Sequence, residues 1–404
     1  MKEKVILAYS GGLDTSVIIP WLKENYDYEV IAVCINVGQD QELGGLEERA
    51  KSLGATKVYV KDVKEEFSKD YLFPMIQSGA IYESRYYLGT SIARPLIAKV
   101  LVDVAITEGA VAICHGCTGK GNDQVRFELA IKALASHIKI IAPWRIWDIS
   151  SREEEMEYLS QRNLPVPMKK EQSYSRDLNL WHISHEGLDL ENPANSADLD
   201  TLLQLGTHPE AAPDEAEIIS ITFKQGIPTH LNDKELSPYN LITEVNKLGA
   251  KHGVGIDDIV ENRVVGMKSR GIYETPGGKI LYFAHEAIEH LTLDRETYQY
   301  KQQVSLEYAR LIYDGKWFSP LRDALAAFVD STQKYVTGKV SLKLYKGNII
   351  LNGTTSPYSL YSEALASFKT GDLYNHHDAE GFITLFGLPS KVRSLMLKQN
   401  EEKL

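Results

Sequence analysis

The chain has 404 residues, of which 43% are hydrophobic, and a formal net charge of -11 at pH 7. This length is sufficient for two or three domains with well-buried cores. The acidic balance argues against nucleic acid as a partner, since affinity for nucleic acid depends on a cationic surface. Residues 1–4 lead directly into a short apolar run without a signal-peptide core, and no apolar run is long enough to span a bilayer. We therefore expect a cytoplasmic protein with no membrane partner.

The first predicted element is a strand at residues 5–9, followed by a glycine turn at residues 10–16 and a helix. Adjacent glycines let the backbone approach a ligand closely, and the first amides of a helix have no partner within the helix. The helix dipole also favours negative charge there, so phosphate is the natural ligand. The turn matches neither G-x-x-x-x-G-K-[ST] nor G-x-G-x-x-G. Its sequence, SGGLDTS, instead resembles the loop of the ATP pyrophosphatases, which implies adenylation rather than phosphorylation.

Strand and helix signals alternate as far as residue 162. The predicted strands are at 29–36, 57–60, 111–114 and 139–142, and the helices at 46–53, 90–109, 123–134 and 151–162. Thr90 or Ser91 is predicted to cap the second of these helices. Strands separated by helices imply a parallel sheet covered on both faces, with ligands at the carboxyl ends of the strands.

A second polar loop, residues 115–126, follows the strand predicted at 111–114. In a parallel sheet it opens on the same edge as the first loop. Asn122, Asp123 and Arg126 carry amide, carboxylate and guanidinium groups, which can hold the amine and carboxylate of an amino acid. Taken alone, the loop is equally well explained as a helix cap with surface charges.

Metal and disulfide chemistry is not indicated. Cys114 and Cys117 have C-x-x-C spacing, but no second pair completes four zinc ligands, and we interpret them as two small side chains near a strand end. The histidines form no H-x-x-x-H or H-E-x-x-H pattern, so no protein metal site is predicted. Mg²⁺ is expected only with ATP, bound through phosphates and one or two carboxylates, of which Asp14 is the nearest candidate.

Beyond residue 162 the pattern is less regular. Residues 165–213 are predicted to form an irregular stretch, which at this length is typical of a functional or interface loop. A strand at 218–223, a helix at 240–252, a hairpin at 339–351 and a charged terminal helix at 390–404 follow. Without context, the polar clusters at 261–263 and 269–275 are interpreted as solvated loops.

Six blocks in order resemble the argininosuccinate synthase family over nearly the whole chain. They are AYSGGLDTS at 8–16, YLGTSIARP at 87–95, HGCTGKGNDQVRFE at 115–128, IKIIAPWR at 138–145, NLWHISHEG at 179–187 and DIVENRVVGMKSRGIYETP at 258–276. The resemblance implies an α/β fold: a parallel-sheet nucleotide-binding domain of the ATP pyrophosphatase type at 1–165, an α+β synthetase and multimerisation domain at 166–363, and a C-terminal oligomerisation arm at 364–404. It also implies a homotetramer that joins L-citrulline to L-aspartate with ATP and releases AMP and pyrophosphate.

The resemblance further assigns roles to residues at matching positions. The implied ATP-binding residues are Ala8, Tyr9, Ser10, Gly11, Gly12, Leu13, Asp14, Thr15, Ser16, Ile35 and Gly116. The implied citrulline-binding residues are Tyr86, Ser91, Asn122, Arg126, Ser175, Ser184, Glu261 and Tyr273, and the implied aspartate-binding residues are Thr118, Asn122 and Asp123. Asp14, Asp123 and Arg126 are the implied catalytic residues. Two positions depart from the family pattern: Ile35 replaces an expected Ala or Thr, and Cys117 replaces an Ala.

The implied chemistry needs no protein nucleophile, since catalysis comes from positioning and charge stabilisation. Asp123 either accepts a proton from the aspartate amine or only anchors it as the ammonium. Two alternatives stay open at this stage. One is a tRNA-thiolating ATP pyrophosphatase that uses Cys114 and Cys117, which the acidic charge opposes. The other is a non-catalytic ATP-binding regulator.

Overall fold

The structure is a computed structural model that describes residues 2–40, 43–166, 174–366 and 374–401. The chain forms two compact units, Met1–Tyr358 and Ser359–Leu404. Within the described ranges, no helix is both long and apolar enough to cross a membrane.

A parallel sheet forms the first part of the larger unit. Its strands in the described chain are β1 (Lys4–Ala8), β2 (Glu29–Asn36), β3 (Lys57–Asp62), β4 (Ala112–Cys114) and β5 (Lys139–Ile141). They lie in the order β3-β2-β1-β4-β5, and every neighbouring pair is parallel. The order reverses between β1 and β4, so the loops after these two strands flank a switch point, where ligands bind in such sheets. The predicted α/β fold is confirmed.

Helices connect these strands. They are α1 (Leu13–Tyr26), α2 (Leu46–Ser52), α3 (Lys64–Glu66), α4 (Phe73–Ser78), α5 (Gly89–Glu108), α6 (Asp123–Leu134) and α7 (Arg152–Gln161), with a π-helical stretch, Phe67–Leu72, before α4. The predicted cap of α5 is wrong, because the helix begins at Gly89 and Thr90 and Ser91 lie in its first turn. Gly89 is required by packing, since a Cβ there would lie 2.2 Å from the ring of His182. This contact joins α5 to the second half of the unit.

The second half of the larger unit is built on antiparallel sheets. Its strands are β6 (Ser175–Leu178), β7 (Ile183–Glu186), β8 (Glu217–Lys224), β9 (Ile227–Leu231), β10 (Lys234–Glu235), β11 (Ile256–Asn262), β12 (Lys268–Glu274), β13 (Gly338–Tyr345) and β14 (Asn348–Thr355). One sheet has the order β10-β9-β8-β13-β14 and the other β11-β12-β7-β6. The second sheet corrects two expectations: β6 and β7 lie within the stretch predicted to be irregular, and the supposed solvated loops at 261–263 and 269–275 belong largely to β11 and β12.

Further helices cover these sheets. They are α8 (Leu199–Leu202), α9 (Pro238–Lys251), α10 (Pro276–Thr292), α11 (Arg295–Tyr313) and α12 (Pro320–Gln333). A continuous apolar core joins α5, α10 and α11 to one face of the parallel sheet. Trp181 is fully buried in it, and its indole N–H donates to the Tyr87 carbonyl at 2.8 Å. The core therefore fixes β6 and β7 against the start of α5.

The smaller unit contains α13 (Glu363–Ala366), α14 (His376–Phe386) and α15 (Leu388–Glu401). The predicted terminal helix corresponds to α15, and residues 402–404 of that prediction lie outside the described residues. Six large apolar side chains on the described parts of α14 and α15 are more than half exposed: Phe382, Ile383, Leu385, Phe386, Val392 and Leu395.

Candidate active site

A cavity of about 540 Å³ lies at the carboxyl ends of β1, β2 and β4. We name it the nucleotide cavity, and its lining includes Ala8, Tyr9, Ser10, Gly11, Gly12, Asp14, Thr15, Ile35 and Gly116. Gly11 has φ +79°, and a Cβ there would lie 2.0 Å from a methyl carbon of Leu46, so only glycine fits. Arg49 donates from Nη1 to the Gly11 carbonyl at 2.9 Å, which fixes the turn and places a cation beside it. The turn is thus built to receive an anion.

Two of the residues predicted to bind ATP do not line this cavity. Leu13 packs against the apolar core beneath α1, and Ser16 is fully buried. Ile35 does line the cavity, although its side chain is 95% buried, and its carbonyl accepts a bond from the Gln39 amide at 2.7 Å. Both the side chain and the carbonyl of Ile35 are therefore already engaged by the protein.

The second loop is held close to the first. A Cβ on Gly116 would lie 3.2 Å from side-chain carbons of Thr15 and Ile18, so glycine permits the approach. The buried His115 accepts the Cys117 amide at Nδ1, at 3.3 Å, which leaves Nε2 to donate to Glu128 at 3.4 Å. The His115 contact is the first of several that lower the pKa of Glu128 to about 2.

A second cavity of about 340 Å³, which we name the amino-acid cavity, lies between α6 and the β11-β12-β7-β6 sheet. Its lining includes Tyr86, Thr118, Asn122, Asp123, Arg126, Ser175, Ser184, Glu261 and Tyr273. All of these were predicted to bind citrulline or aspartate. Ser91 is the exception, because it is fully buried and its hydroxyl faces the phenol of Tyr86 instead.

Asp123 is clamped between two arginines. Arg94 donates from Nε to Asp123 Oδ2 and Arg126 from Nη1 to Asp123 Oδ1, each at 2.9 Å. Burial alone would raise the pKa of this carboxyl, but the two guanidinium groups outweigh it and lower the pKa to about 2. Arg94 also donates to Asp177 at 2.9 Å. An ionised carboxylate held this firmly is a weak proton acceptor, which favours anchoring over general-base catalysis.

Tyr313, at the end of α11, holds two of the predicted residues in place. Its hydroxyl accepts the Asn122 amide at 2.8 Å, and its carbonyl accepts Arg126 Nε at 2.9 Å. The Arg126 guanidinium also lies 4.8 Å from the centre of the Tyr313 ring. Asn122 accepts the Val264 amide at 2.9 Å, so both ends of its side chain already bond to protein.

A half-buried carboxylate, Glu186, and a buried one, Glu261, face the amino-acid cavity. Glu186 accepts Arg263 Nη2 at 2.6 Å, whereas the buried Oε2 of Glu261 has no hydrogen-bond partner among the described residues. Burial is the largest cause that raises the pKa of Glu261, to about 7, and nearby Arg126 only partly offsets it. A buried carboxylate oxygen without a partner is suited to a cationic ligand such as an ammonium.

The two cavities adjoin, since Cys117, Asp123, Arg176 and Asp177 line both. The anion-binding turn of one cavity therefore lies next to the charged side chains of the other. This arrangement defines a class, a nucleotide-dependent α/β enzyme with a second site for a small, charged substrate.

Comparison with known proteins specifies the class. Residues 4–165 match the model of the arginosuccinate synthase N-terminal HUP domain, and residues 174–393 match that of the C-terminal domain. Curated argininosuccinate synthases from Agathobacter rectalis and Lachnoclostridium phytofermentans are 62% and 63% identical to the chain. Each alignment covers 100% of this chain and at least 99% of the relative. The relative from Brachyspira hyodysenteriae is 63% identical over 99% of this chain and 98% of its own length.

The chain belongs to the argininosuccinate synthase family. Membership of this family, which the six sequence blocks predict, is confirmed, and so is the prediction of an ATP-dependent ligase. The thiolating alternative is not favoured, because full-length relatives bear the synthase name.

Sequence reasoning missed several residues of the site. Arg94, Asp177, Glu186, Arg263 and Tyr313 hold the predicted side chains in place or line the amino-acid cavity. Arg94 lies one helical turn after Thr90 in the YLGTSIARP sequence, so its position on the helix could have indicated that it faces the site. Tyr313 lies 187 positions beyond Arg126 in the chain, and no local pattern connects the two.

Proposed function

We propose that this protein condenses L-citrulline with L-aspartate to argininosuccinate, in arginine biosynthesis, and converts ATP to AMP and pyrophosphate. The observation that carries the proposal is the pair of adjoining cavities, one with an anion-binding turn and one with opposed carboxylate and guanidinium groups. Full-length relatives named argininosuccinate synthase support it.

ATP occupies the nucleotide cavity in this proposal, and its β and γ phosphates lie at the turn. The free amides at the start of α1 and the positive charge of Arg49 favour this orientation. Mg²⁺ bound to the phosphates would neutralise part of their charge. No three His, Cys, Asp or Glu side chains within the described ranges are grouped to hold a metal ion. Asp14, which lines the cavity, is the residue that would contact a phosphate-bound Mg²⁺.

Citrulline occupies the amino-acid cavity. The unpartnered Glu261 oxygen is the acceptor for its α-ammonium, and Arg126 with the Ser175 and Ser184 hydroxyls is suited to its α-carboxylate. Tyr86 and Tyr273, whose ring centres are 4.8 Å apart, form the apolar wall beside its side chain. In the proposal, the ureido group of citrulline lies at the shared boundary of the cavities.

Aspartate binds at the second loop, with Thr118 and Asn122 on its carboxylates and Asp123 on its amine. Arg94 and Arg126 keep Asp123 ionised, so it orients the ammonium and leaves proton removal to another acceptor. Asp123 is thus a catalytic residue by positioning and charge.

The reaction then proceeds in two displacements. The ureido oxygen of citrulline attacks the α-phosphorus, the bond from that phosphorus to the β-phosphate oxygen breaks, and pyrophosphate leaves at the turn. The aspartate nitrogen, after losing a proton, attacks the ureido carbon, and AMP leaves with the former ureido oxygen. Holding the reactants in adjoining cavities makes each attack effectively unimolecular.

The family resemblance also supports a homotetramer in the cytoplasm and a division at residues 165 and 363 into nucleotide-binding, synthetase and arm segments. The exposed apolar side chains of α14 and α15 support a role for the arm in assembly.

Citrulline-dependent exchange of labelled pyrophosphate into ATP tests the proposed activation step. We expect exchange with ATP, Mg²⁺ and citrulline alone, and argininosuccinate and AMP only after aspartate is added. Absence of exchange from a folded preparation with ATP, Mg²⁺ and citrulline would contradict the proposal and favour an ATP-binding regulator. Exchange of the same rate without citrulline would contradict the proposed activation step.

A further inference from the structure

We propose that Arg176 is a substrate-binding residue, whose guanidinium binds the oxyanion that lies at the boundary of the two cavities. Arg176 lies on β6 and lines both cavities. No role for it follows from the motifs or from the reaction described above. The inference rests on the proposed function, because it concerns how that reaction holds its charged groups.

One edge of the Arg176 side chain is fixed by the protein. Its Nε donates to His185 Nδ1 at 3.0 Å across the β6-β7 pair. The guanidinium also lies 5.6 Å from the centre of the Tyr174 ring. In the part of the chain that the structure describes, neither Nη nitrogen has a hydrogen bond or a carboxylate partner. The free edge is thus available to a ligand.

A buried chain of contacts holds this orientation. Since His185 Nδ1 accepts from Arg176, His185 Nε2 carries the proton and donates to Glu274 Oε1 at 2.7 Å. Glu274 in turn accepts the backbone amides of residues 204, 205 and 206 at 2.8, 2.9 and 2.5 Å. Both His185 and Glu274 are fully buried. Arg176 itself is exposed to solvent. The buried contacts of His185 and Glu274 nevertheless anchor its Nε.

Each neighbouring arginine already pairs with at least one carboxylate of the protein. Arg94 is bound by Asp123 and Asp177, Arg126 by Asp123, and Arg263 by Glu186. Arg176 lines both cavities and has no such carboxylate within the described residues, so its charge is available to the substrates. Two parallel N–H groups of a guanidinium match the oxygens of a phosphate or a carboxylate.

Two anionic groups reach this boundary in the proposed reaction. One is the α-phosphate, which carries negative charge before and after its transfer to citrulline. The other is a carboxylate of aspartate, which enters beside Asp123. Both groups are oxyanions that a guanidinium can bind. They are distinguished by whether replacing Arg176 slows the activation of citrulline or the later attack by aspartate.

The test compares wild type with R176M, R176K and the control R295M, whose side chain is 76% exposed on α11. Each variant is assayed for citrulline-dependent exchange of labelled pyrophosphate and for argininosuccinate formation over a range of aspartate concentrations. Because Arg176 is exposed, we expect circular dichroism of R176M to match wild type, while its melting temperature falls by a few degrees because Nδ1 of the buried His185 loses its donor.

Binding of the phosphate predicts that R176M lowers kcat for exchange and for ligation about 10- to 100-fold, with partial recovery in R176K. Binding of the carboxylate predicts unchanged exchange and a KM for aspartate raised about tenfold or more. Both results support the proposal. It is overturned if R176M stays within twofold of wild type and R295M in both assays. Failure of exchange in wild type would instead overturn the proposed function, so the two failures are distinguishable.

Discussion

At the scale of single residues, the charge state of Glu261 controls what the amino-acid cavity can bind. Its carboxyl is buried beside Arg126 and Glu186, and its pKa is raised to about 7. A group in this state loses its charge just below neutral pH, whereas Asp123, with a pKa of about 2, stays ionised. Glu261 and Asp123 therefore respond differently to pH. Arg94 and Arg126 both donate hydrogen bonds to Asp123, whereas burial dominates at Glu261.

We predict that KM for citrulline rises as pH falls from 8 to 6, because protonated Glu261 no longer attracts the α-ammonium. The rise is about tenfold, since the ionised fraction of a group with a pKa near 7 changes by that factor. In E261Q, KM should be high at both pH values and nearly independent of pH. Initial rates at saturating ATP and aspartate measure this, with E296Q on the surface as the control. A wild-type KM that is constant over this range would contradict the role given to Glu261.

At the scale of elements, the site is assembled by contacts between segments that are distant in the chain. Tyr313 of α11 contacts Asn122, which directly precedes α6, and Arg126 on α6. β6 and β7 supply the opposite wall of the amino-acid cavity. Gly315 follows α11 and has φ +76°. A Cβ at this position would lie 2.5 Å from Arg126 Cα, so glycine is needed for the chain to pass this close to α6. The end of α11 thus sets the position of α6.

We predict that Y313F keeps the ring beneath Arg126 but leaves the Asn122 amide without its acceptor. An unpaired buried donor costs about 1–3 kcal/mol, so the free energy of unfolding should fall by roughly this amount. KM for citrulline and aspartate should rise several-fold. Urea unfolding and steady-state kinetics test both effects, with Y300F, which is exposed on the same helix, as the control. Kinetics of Y313F equal to those of Y300F would mean that the hydroxyl does not position the site.

Sequence patterns predicted the parallel sheet well and the antiparallel half of the site poorly. β1 and β2 are apolar runs that end at glycine turns, so both their type and their binding edge follow from periodicity. β6 is the four-residue sequence SRDL, and β11 contains Asp257 and Asp258, so neither has an alternating apolar pattern. The polar side chains of these two strands face a cavity or pair with charged residues that are distant in the sequence. Their partners are therefore supplied only by tertiary contacts. Family resemblance identified Ser175 and Glu261, which composition alone did not.

At the scale of the whole molecule, the smaller unit presents apolar surface that a single chain leaves exposed. Phe382 and Phe386 stack with ring centres 5.1 Å apart, yet are 63% and 73% exposed. Exposed aromatic pairs of this kind are typical of association surfaces. This agrees with the proposed homotetramer.

We predict that the double substitution F382D/F386D lowers the molar mass in solution below that of a tetramer. Buried charge without a partner destabilises an interface, so the assembly should dissociate at micromolar concentration. Size-exclusion chromatography with light scattering measures the mass, and T384D, an exposed polar position on the same helix, is the control. A tetramer of unchanged mass in the double variant would exclude these rings from the interface.

In the proposed reaction, citrulline is activated through its ureido oxygen at the boundary of two adjoining cavities. Citrulline labelled with ¹⁸O at the ureido position tests this most directly, with mass spectrometry of the AMP formed in a complete reaction with ATP and aspartate. We expect each AMP to carry the label in its phosphate, since the ureido oxygen attacks the α-phosphorus and leaves with AMP. Unlabelled AMP, with the label retained in argininosuccinate or released into water, would contradict the proposed reaction.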